Sequence, residues 1–285
     1  MQIFTERNVH KKMSSVVIHE YRIPIKGVGR KIIYHFSDVH LTEHDSQSNE
    51  DEVRRAIEGT AEWEELRVSF AKDNGEPCDA AQLVSTREHL KNLISAANDG
   101  DALVMAGDVC DFTSGANLRA LDAELGILSV PFVSVCGNHE RAEEIPEGML
   151  FSAMAEPVQI LDLGDVSIFA IDNSRKKITE HQLSRLKEVL AEAKPIIIVM
   201  HIPLRAEGNA AQFEKCGEYF QLNDSKATSE VYEFIDIIKE NPDKIIAVLA
   251  GHLHFASNSE IVPGVTQYVS TQGALGNVNR YEIGE

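Results

Sequence analysis

The stretch Lys31–His40 reads KIIYHFSDVH. A short apolar, β-branched run ends at Phe36, and two polar residues, Asp38 and His40, follow it closely. Similar clusters recur along the chain at Gly107-Asp108, Gly137-Asn138-His139-Glu140, Met200-His201 and Gly251-His252-Leu253-His254. Because each cluster follows an apolar run, we expect each one just past the C-terminal end of a strand.

Apolar runs alternate with helical patterns over most of the chain. The runs predict strands at 15–18, 31–36, 102–106, 131–135, 166–171, 195–200, 245–250 and 265–270. Runs this short and uniformly apolar are typical of strands that are buried on both faces. Apolar residues at helical spacing predict helices at 86–97, 179–191 and 229–238, the second with a Thr cap. The alternation favours an α/β fold, in which sites form at the carboxyl ends of strands.

Composition and charge narrow the range of partners. A chain of 285 residues with 43% hydrophobic and 25% charged residues can form one large domain or two small ones, and we predict a single domain over 1–285. A net charge of −18 disfavours nucleic-acid polymers and anionic membranes, but bound cations would still admit a small phosphorylated substrate. The absence of a membrane-length apolar stretch, and of a signal-peptide core in residues 1–7, predicts a cytoplasmic protein.

Two long segments separate the clusters. Residues 42–85 predict a mostly helical insertion that contains the only tryptophan, Trp63, and breaks at Asn74-Gly75-Glu76-Pro77. Residues 204–226 are irregular and follow His201, and we interpret them as a substrate loop. Loops of this length are often functional, although surface elaboration is an equal alternative.

The clusters supply metal-binding groups. They offer carboxylates, one asparagine amide and several imidazoles, a mixture that suits Mn, Fe, Zn, Co or Ni rather than Ca. These groups are too many for one tetrahedral ion. They suit two divalent or trivalent ions that share a bridging carboxylate, an arrangement that promotes displacement at phosphorus.

In order, these motifs resemble those of the calcineurin-like metallophosphoesterases, from Asp38 to His254. The resemblance implies an α/β fold, a two-sheet β-sandwich flanked by helices, and a hydroxide shared by two metal ions as the nucleophile. It assigns Asp38, His40 and His254 to the first metal, Asn138, His201 and His252 to the second, and Asp108 to both. It places His139 over the phosphate, oriented by the carboxylate of Asp111, as the group that protonates the leaving oxygen or stabilises its charge.

One departure from the family concerns the second motif. Relatives that are protein Ser/Thr phosphatases carry Asp-Arg-Gly there, whereas Asp111 is followed by Phe112 and Thr113. We expect a small phosphorylated substrate, with a phosphodiester such as a cyclic nucleotide slightly favoured. A phosphomonoesterase or a protein phosphatase is the alternative, and Arg141 would then be a substitute cation. A nuclease is less favoured because of the −18 net charge. A non-catalytic metal scaffold is less favoured because it would not need His139.

Several residues near the motifs have simpler interpretations. We expect Glu140 to brace its loop by hydrogen bonding rather than to act as a base. The pair Tyr219 and Phe220 is expected in the core, with a pocket wall as the alternative. The cysteines show no CxxC spacing and are expected as free thiols. The histidines outside the motifs are expected to be structural or solvated, and these are His10, His19, His35, His44, His89 and His181.

Overall fold

The computed structural model describes residues 16–73, 75 and 78–285. The start of the first predicted strand, the N-terminal stretch 1–7, His10 and all of the predicted break at 74–77 except Gly75 lie outside these residues. The strands are β1 Val17–Ile23, β2 Lys31–Phe36, β3 Ala102–Met105, β4 Phe132–Ser134, β5 Val158–Asp162, β6 Ser167–Ile171, β7 Ile196–Val199, β8 Ile245–Ala250, β9 Ser257–Val262, β10 Val265–Val269 and β11 Asn277–Ile283. The α-helices are α1 Glu50–Asp73, α2 Thr86–Ala97, α3 Gly115–Leu125, α4 Glu180–Leu190, α5 Ala210–Cys216 and α6 Ser229–Glu240.

The strands form two mixed sheets. The first sheet has the order β1-β11-β2-β3-β4, and the second has the order β5-β6-β7-β8-β10-β9. Strands β2, β3 and β4 are parallel neighbours, as are β6, β7 and β8. Their carboxyl ends therefore lie along one edge of each sheet.

The sheets pack face to face, with helices on the two outer surfaces. Side chains from both sheets share a central core, in which Ile33 and Val104 of the first sheet join Ile197 and Leu249 of the second. Helices α2 and α3 share a second core with the first sheet, and α4 and α6 share a third with the second sheet. This layering confirms the predicted two-sheet sandwich flanked by helices.

The strands that the sequence missed are the less apolar ones. Strands β5 and β9 lie at the two edges of the second sheet, where exposed positions interrupt the apolar pattern. Strand β11 is central in the first sheet, yet its sequence NVNRYEI alternates polar with apolar residues. Buried asparagines, Asn277 and Asn279, occupy its inner positions and hide the strand from an apolar-run search.

Local capping explains where the helices begin. Ser85 accepts a hydrogen bond from the backbone N–H of Glu88 at 3.1 Å and starts α2. Thr179 and Gln182 form a reciprocal capping box that starts α4, which confirms the predicted Thr cap. Helix α3, absent from the sequence prediction, starts at a similar cap formed by Ser114 and Asn117.

The insertion contains the longest helix, α1, as the helical pattern predicts. The buried residues of α1 recur every three or four positions along one stripe, and these are Ala56, Gly59, Trp63, Arg67 and Ala71. A Cβ atom at Gly59 would lie 3.3 Å from Oδ2 of Asp111. The stripe therefore packs directly against the second motif. The irregular segment 204–226 contains the short α5 and 3₁₀ turns at 207–209 and 218–220.

Other expectations concern single residues. His35 is fully buried in β2, and both Cys110 and Cys136 are buried free thiols, as predicted. His44 and His181 are exposed. None of the helices in the described part of the chain combines the length and the apolar character needed to cross a bilayer.

Candidate metal centre

The predicted site residues meet at one edge of the sandwich. The first sheet supplies Asp38 and His40 after β2, Asp108 after β3, and Asn138 and His139 after β4. The second sheet supplies His201 after β7, and His252 and His254 after β8. The two strand-end edges face each other, so segments 214 residues apart in the chain converge, as in the contact of His252 N–H with Asp38 Oδ2 at 3.0 Å.

A first donor cluster comprises Asp38, His40 and His254. The Nε2 atoms of His40 and His254 lie 3.3 Å apart. Both converge on Oδ1 of Asp38, at 3.8 Å from His40 and 3.2 Å from His254. Two imidazole nitrogens and one carboxylate oxygen that lie this close together form a donor set that suits a cation.

A second donor cluster comprises Asp108, His201 and His252. His201 Nε2 lies 3.1 Å from Oδ2 of Asp108 and 3.1 Å from Oδ1 of Asn138. These clusters are compatible with the two ligand groups that the family resemblance implies, and a third possible donor group joins His40 with Asp111 and His139. The assignment of each residue to a metal stays a prediction.

The donor atoms fit metal ions chemically. His201 Nδ1 donates to the carbonyl of Ala106 at 2.7 Å, so Nε2 is the nitrogen that faces the second cluster and would offer its lone pair to a metal. His252 Nε2 is buried and has no hydrogen-bond partner in the described part of the chain. Because an unpaired buried nitrogen costs free energy, a ligand for that atom is expected. The clusters support a divalent metal centre.

The backbone is strained where the candidate ligands lie. The left-handed region, with φ between 50° and 73°, contains Asp38, His40, Asp108, His252 and His254. Such a conformation costs about 1–3 kcal/mol per residue when a side chain other than glycine adopts it. Strain at five candidate ligands in one site indicates that the fold holds them in place for function.

Two glycines permit the close approach of the loops. Gly107 has φ +87°, and a Cβ there would lie 2.7 Å from both Gly137 N and His201 Nδ1. A Cβ at Gly137 would collide with the carboxylate of Asp108. Packing therefore requires a glycine at both positions.

Glu140 braces these loops, which confirms the sequence interpretation. Its carboxylate is fully buried and accepts backbone N–H groups from Asp108 at 2.9 Å, Cys110 at 2.8 Å and Gly137 at 2.7 Å. Burial, together with the nearby charge of Asp108, raises the pKa of Glu140 to about 7. Asn173, which the sequence analysis missed, braces the opposite side by accepting the N–H of His201 at 3.0 Å.

His139 and Asp111 form a hydrogen-bonded pair beside the first cluster. His139 Nδ1 lies 2.9 Å from the carbonyl oxygen and 3.1 Å from the carboxylate Oδ1 of Asp111. His139 is the less enclosed partner, with 36% of its side chain exposed. Burial opposes its protonation, but Asp111 and Asp108 together raise the pKa of His139 to about 10.

Trp63 is a site residue that the sequence analysis did not assign. Its indole N–H donates to Oδ1 of Asp111 at 2.8 Å, and its ring stacks on His40 with centroids 3.8 Å apart. Phe70, further along α1, contacts His254 edge-on at 5.6 Å. The insertion thus forms one wall of the site, and only its single tryptophan marked this in the sequence.

The electrostatics of the clusters favour positive charge at their centres. Burial disfavours the protonated form of His201, but the carboxylates of Asp108 and Asp38 raise its pKa to about 9. Burial alone would raise the pKa of Asp38. The neighbouring histidines, chiefly His254, instead hold this pKa well below its usual range. A proton on His201 therefore supplies positive charge where a metal cation would otherwise supply it.

Two arginines, Arg141 and Arg175, lie near the motif that follows β4 and have different partners. The side chain of Arg141 is 61% exposed and lies 3.8 Å from Glu144, so the proposed phosphate contact stays a prediction. Arg175, from the loop after β6, donates instead to the carbonyl of Glu140 at 3.0 Å. No apolar run pointed to this loop, because its residues NSRKK are polar throughout.

A sequence model described as calcineurin-like phosphoesterase matches residues 32–256. The chain belongs to the calcineurin-like phosphoesterase family. This confirms the resemblance and supports hydrolytic chemistry at phosphoester bonds. The match begins within β2 and ends just after His254, so this calcineurin-like phosphoesterase carries all of its candidate ligands inside the family region.

Similar proteins agree with this assignment. A cAMP/cGMP dual specificity phosphodiesterase of Mycobacterium tuberculosis is 28% identical over 189 residues, which are 61% of this chain and 55% of that protein. The chain therefore matches about half the length of this relative. A dimetal phosphatase from Danio rerio shares the fold, with a TM-score of 0.55, 12% identity and coverage of 86% of this chain and 88% of that one. A purple acid phosphatase from yellow lupin (Lupinus luteus) seeds has a TM-score of 0.51 and 13% identity, over 90% of this chain and 46% of that one.

Proposed function

We propose that this calcineurin-like phosphoesterase hydrolyses small phosphodiesters, cyclic nucleotides among them, at a two-metal centre. The observation that carries the proposal is the convergence of two donor clusters beside the partly exposed His139. A metal scaffold without activity would need the clusters but not the His139–Asp111 pair. A cytoplasmic location is part of the proposal, and it rests on the sequence alone.

The candidate ligands divide between two ions. Asp38, His40 and His254 would hold one ion, Asn138, His201 and His252 would hold the other, and Asp108 would contact both. The donor set suits Mn, Fe, Zn, Co or Ni. When bound, such a pair polarises the phosphoryl oxygens and supplies a nucleophile from water near neutral pH.

His139 would handle the proton of the leaving group. Because Asp111 engages Nδ1, the proton on Nε2 is the one available to the substrate. Although burial opposes protonation, the carboxylate of Asp111 raises the pKa of His139 and so favours the form that carries a proton on Nε2. Cleavage of an alkyl diester releases a strongly basic alkoxide, and protonation by Nε2–H would lower the barrier to its departure.

Charge favours a diester over a monoester. A monoester carries more negative charge than a diester and calls for additional cations. The second motif has Phe112 where protein phosphatases carry arginine, and Arg141 pairs with Glu144. The named activity of the mycobacterial relative, on cAMP and cGMP, adds support. The −18 net charge disfavours nucleic-acid polymers as substrates.

The test compares substrate classes on one preparation of the protein with added Mn²⁺. The substrates are 3′,5′-cyclic AMP, bis(p-nitrophenyl) phosphate and p-nitrophenyl phosphate, and the bound metals are counted by mass spectrometry. We expect about two ions per chain and the higher kcat/KM with the diesters. Hydrolysis of the monoester alone would overturn the diester proposal, and metal binding without turnover of any substrate would favour a scaffold.

A further inference from the structure

Tyr219 presents an exposed aromatic ring at the second donor cluster. Its ring centroid lies 5.6 Å from that of His252, and the residue is 58% exposed. Tyr219 and Phe220 were expected in the core, with a pocket wall as the alternative, but their environments differ. Phe220 packs against the core of the second sheet, whereas Tyr219 lies at the surface.

The position of Tyr219 is fixed by Lys176. Lys176 Nζ donates to the backbone carbonyls of Glu218 at 3.2 Å and Tyr219 at 3.0 Å, and it forms an ion pair with Asp224. The same ammonium group lies 5.3 Å from the centre of the Tyr219 ring. Lys176 adopts φ +56°, a strained conformation that the surrounding contacts must hold. An exposed ring whose backbone is tethered in this way is pre-organised rather than loosely attached.

Tyr219 is not required to support His252. Phe220 already contacts the same imidazole, with centroids 5.3 Å apart, and it meets Tyr219 edge-on at 5.3 Å. Since Phe220 already packs against His252, Tyr219 is not needed to bury that imidazole. The exposed ring of Tyr219 therefore calls for another explanation. An exposed ring beside a metal cluster is in a position to contact the group that a bound phosphoester carries.

We propose that Tyr219 is a stacking platform for a flat aromatic group attached to the substrate phosphate, with a nucleobase as the favoured group. The proposal rests on the proposed phosphoesterase function and names the substrate class of that site. Stacking on an aromatic side chain accepts any base, because every base has a π-face, and it contributes a roughly tenfold or larger change in affinity. Trp63 and Phe70 of the insertion lie at the first cluster. Tyr219 lies at the second cluster and is therefore a separate aromatic contact of the site.

Binding of phosphates that differ only in their organic group tests the proposal without reliance on turnover. Calorimetry with the Mn²⁺-loaded protein would compare AMP, ribose 5-phosphate, phenyl phosphate and inorganic phosphate, with chromatography to verify that each ligand stays intact. The variants are Tyr219→Ala and Tyr219→Phe. Tyr232→Ala is a matched control, because Tyr232 is 51% exposed on α6 and lies outside the site.

We expect AMP to bind the unmodified protein about tenfold more tightly than ribose 5-phosphate, and Tyr219→Ala to remove this advantage. Tyr219→Phe and Tyr232→Ala should keep it, and the affinity for inorganic phosphate should be the same in every variant. If Tyr219→Ala also weakens the binding of phenyl phosphate, the platform accepts aryl groups in general. If it weakens only the binding of AMP, the platform is restricted to nucleobases.

Equal affinities for AMP and ribose 5-phosphate in the unmodified protein would overturn the proposal, whatever diesters the protein hydrolyses. An equal loss of AMP and inorganic phosphate binding in Tyr219→Ala would also overturn it, because Tyr219 would then act through His252 and the metal. Failure of the proposed function has a different signature, which is base-dependent binding of AMP without hydrolysis of any diester.

Discussion

The indole N–H of Trp63 donates to Oδ1 of Asp111 at 2.8 Å, and the same oxygen lies 3.1 Å from Nδ1 of His139. It also lies 3.4 Å from Nδ1 of His40. A residue of the insertion helix therefore shares one carboxylate oxygen with a candidate metal ligand and with the candidate proton donor. The insertion is part of the site rather than a surface addition to the fold.

Removal of the indole N–H should slow the reaction. Trp63→Phe keeps an aromatic ring against His40 but loses the hydrogen bond to Asp111, and we expect kcat to fall at least about tenfold, as for loss of a hydrogen bond to a charged acceptor. KM should change little, because Trp63 holds Asp111 and not the substrate. Steady-state kinetics on bis(p-nitrophenyl) phosphate would measure both. Trp63→Leu, which also loses the stacking, should be slower still, and equal rates for the two variants would contradict a separate role for the ring.

The fluorescence of Trp63 should report metal binding at the first cluster. The chain has one tryptophan, and its ring centroid lies 3.8 Å from that of His40. Addition of paramagnetic Co²⁺ to the chelator-treated protein should quench its emission, because the ion would bind within a few ångströms of the indole. The His40→Ala variant should lose most of this quenching, whereas His201→Ala, changed in the second cluster, should retain it. Quenching that depends on His201 and not on His40 would contradict the division into two clusters.

His139→Ala should impair substrates in proportion to the basicity of their leaving group. The ribose alkoxide released from 3′,5′-cyclic AMP needs protonation, whereas p-nitrophenolate is stable without it. We expect kcat for cyclic AMP to fall about a hundredfold or more, and a smaller loss with bis(p-nitrophenyl) phosphate. Metal content, measured by mass spectrometry, should be unchanged.

The control for this prediction is His181→Ala, since His181 is exposed at the start of α4 and outside every motif. It should behave as the unmodified protein with both substrates. A uniform loss with the two leaving groups would show that His139 stabilises charge instead of donating a proton.

A buried histidine away from the site should make stability depend on pH. Burial, with a smaller contribution from Arg67, lowers the pKa of His89 on α2 from 6.5 to about 3. The unfolded chain therefore binds a proton below about pH 6.5 that the folded protein does not accept until about pH 3. The stability contributed by neutral His89 is complete above pH 6.5 and is lost as the pH falls, by up to about 1.4 kcal/mol per pH unit.

Urea unfolding at pH 7, 6 and 5 in the presence of a chelator would measure this dependence. The variant His89→Gln should show a shallower loss of unfolding free energy with falling pH, while His181→Gln should follow the unmodified protein. Identical pH slopes for the unmodified protein and His89→Gln would show that another group is responsible.

The sequence by itself determined the fold class and predicted the candidate metal ligands. Buried strands such as β2 and β8 need uniformly apolar residues, so they are visible without tertiary information, and the polar residues that follow them mark the strand ends. The alternating strand β11 and the edge strands β5 and β9 were missed, because their burial depends on neighbours that local sequence does not reveal.

Tertiary structure alone decided which side chains surround the clusters. Trp63 and Tyr219 belong to segments without a readable motif, and only the packing of α1 and of the 218–220 turn brings them to the site. The physical reason is the distance along the chain over which each property is decided. Strand periodicity and ligand type are local properties of the chain, whereas a contact such as that of Trp63 with Asp111 depends on how separate segments pack together.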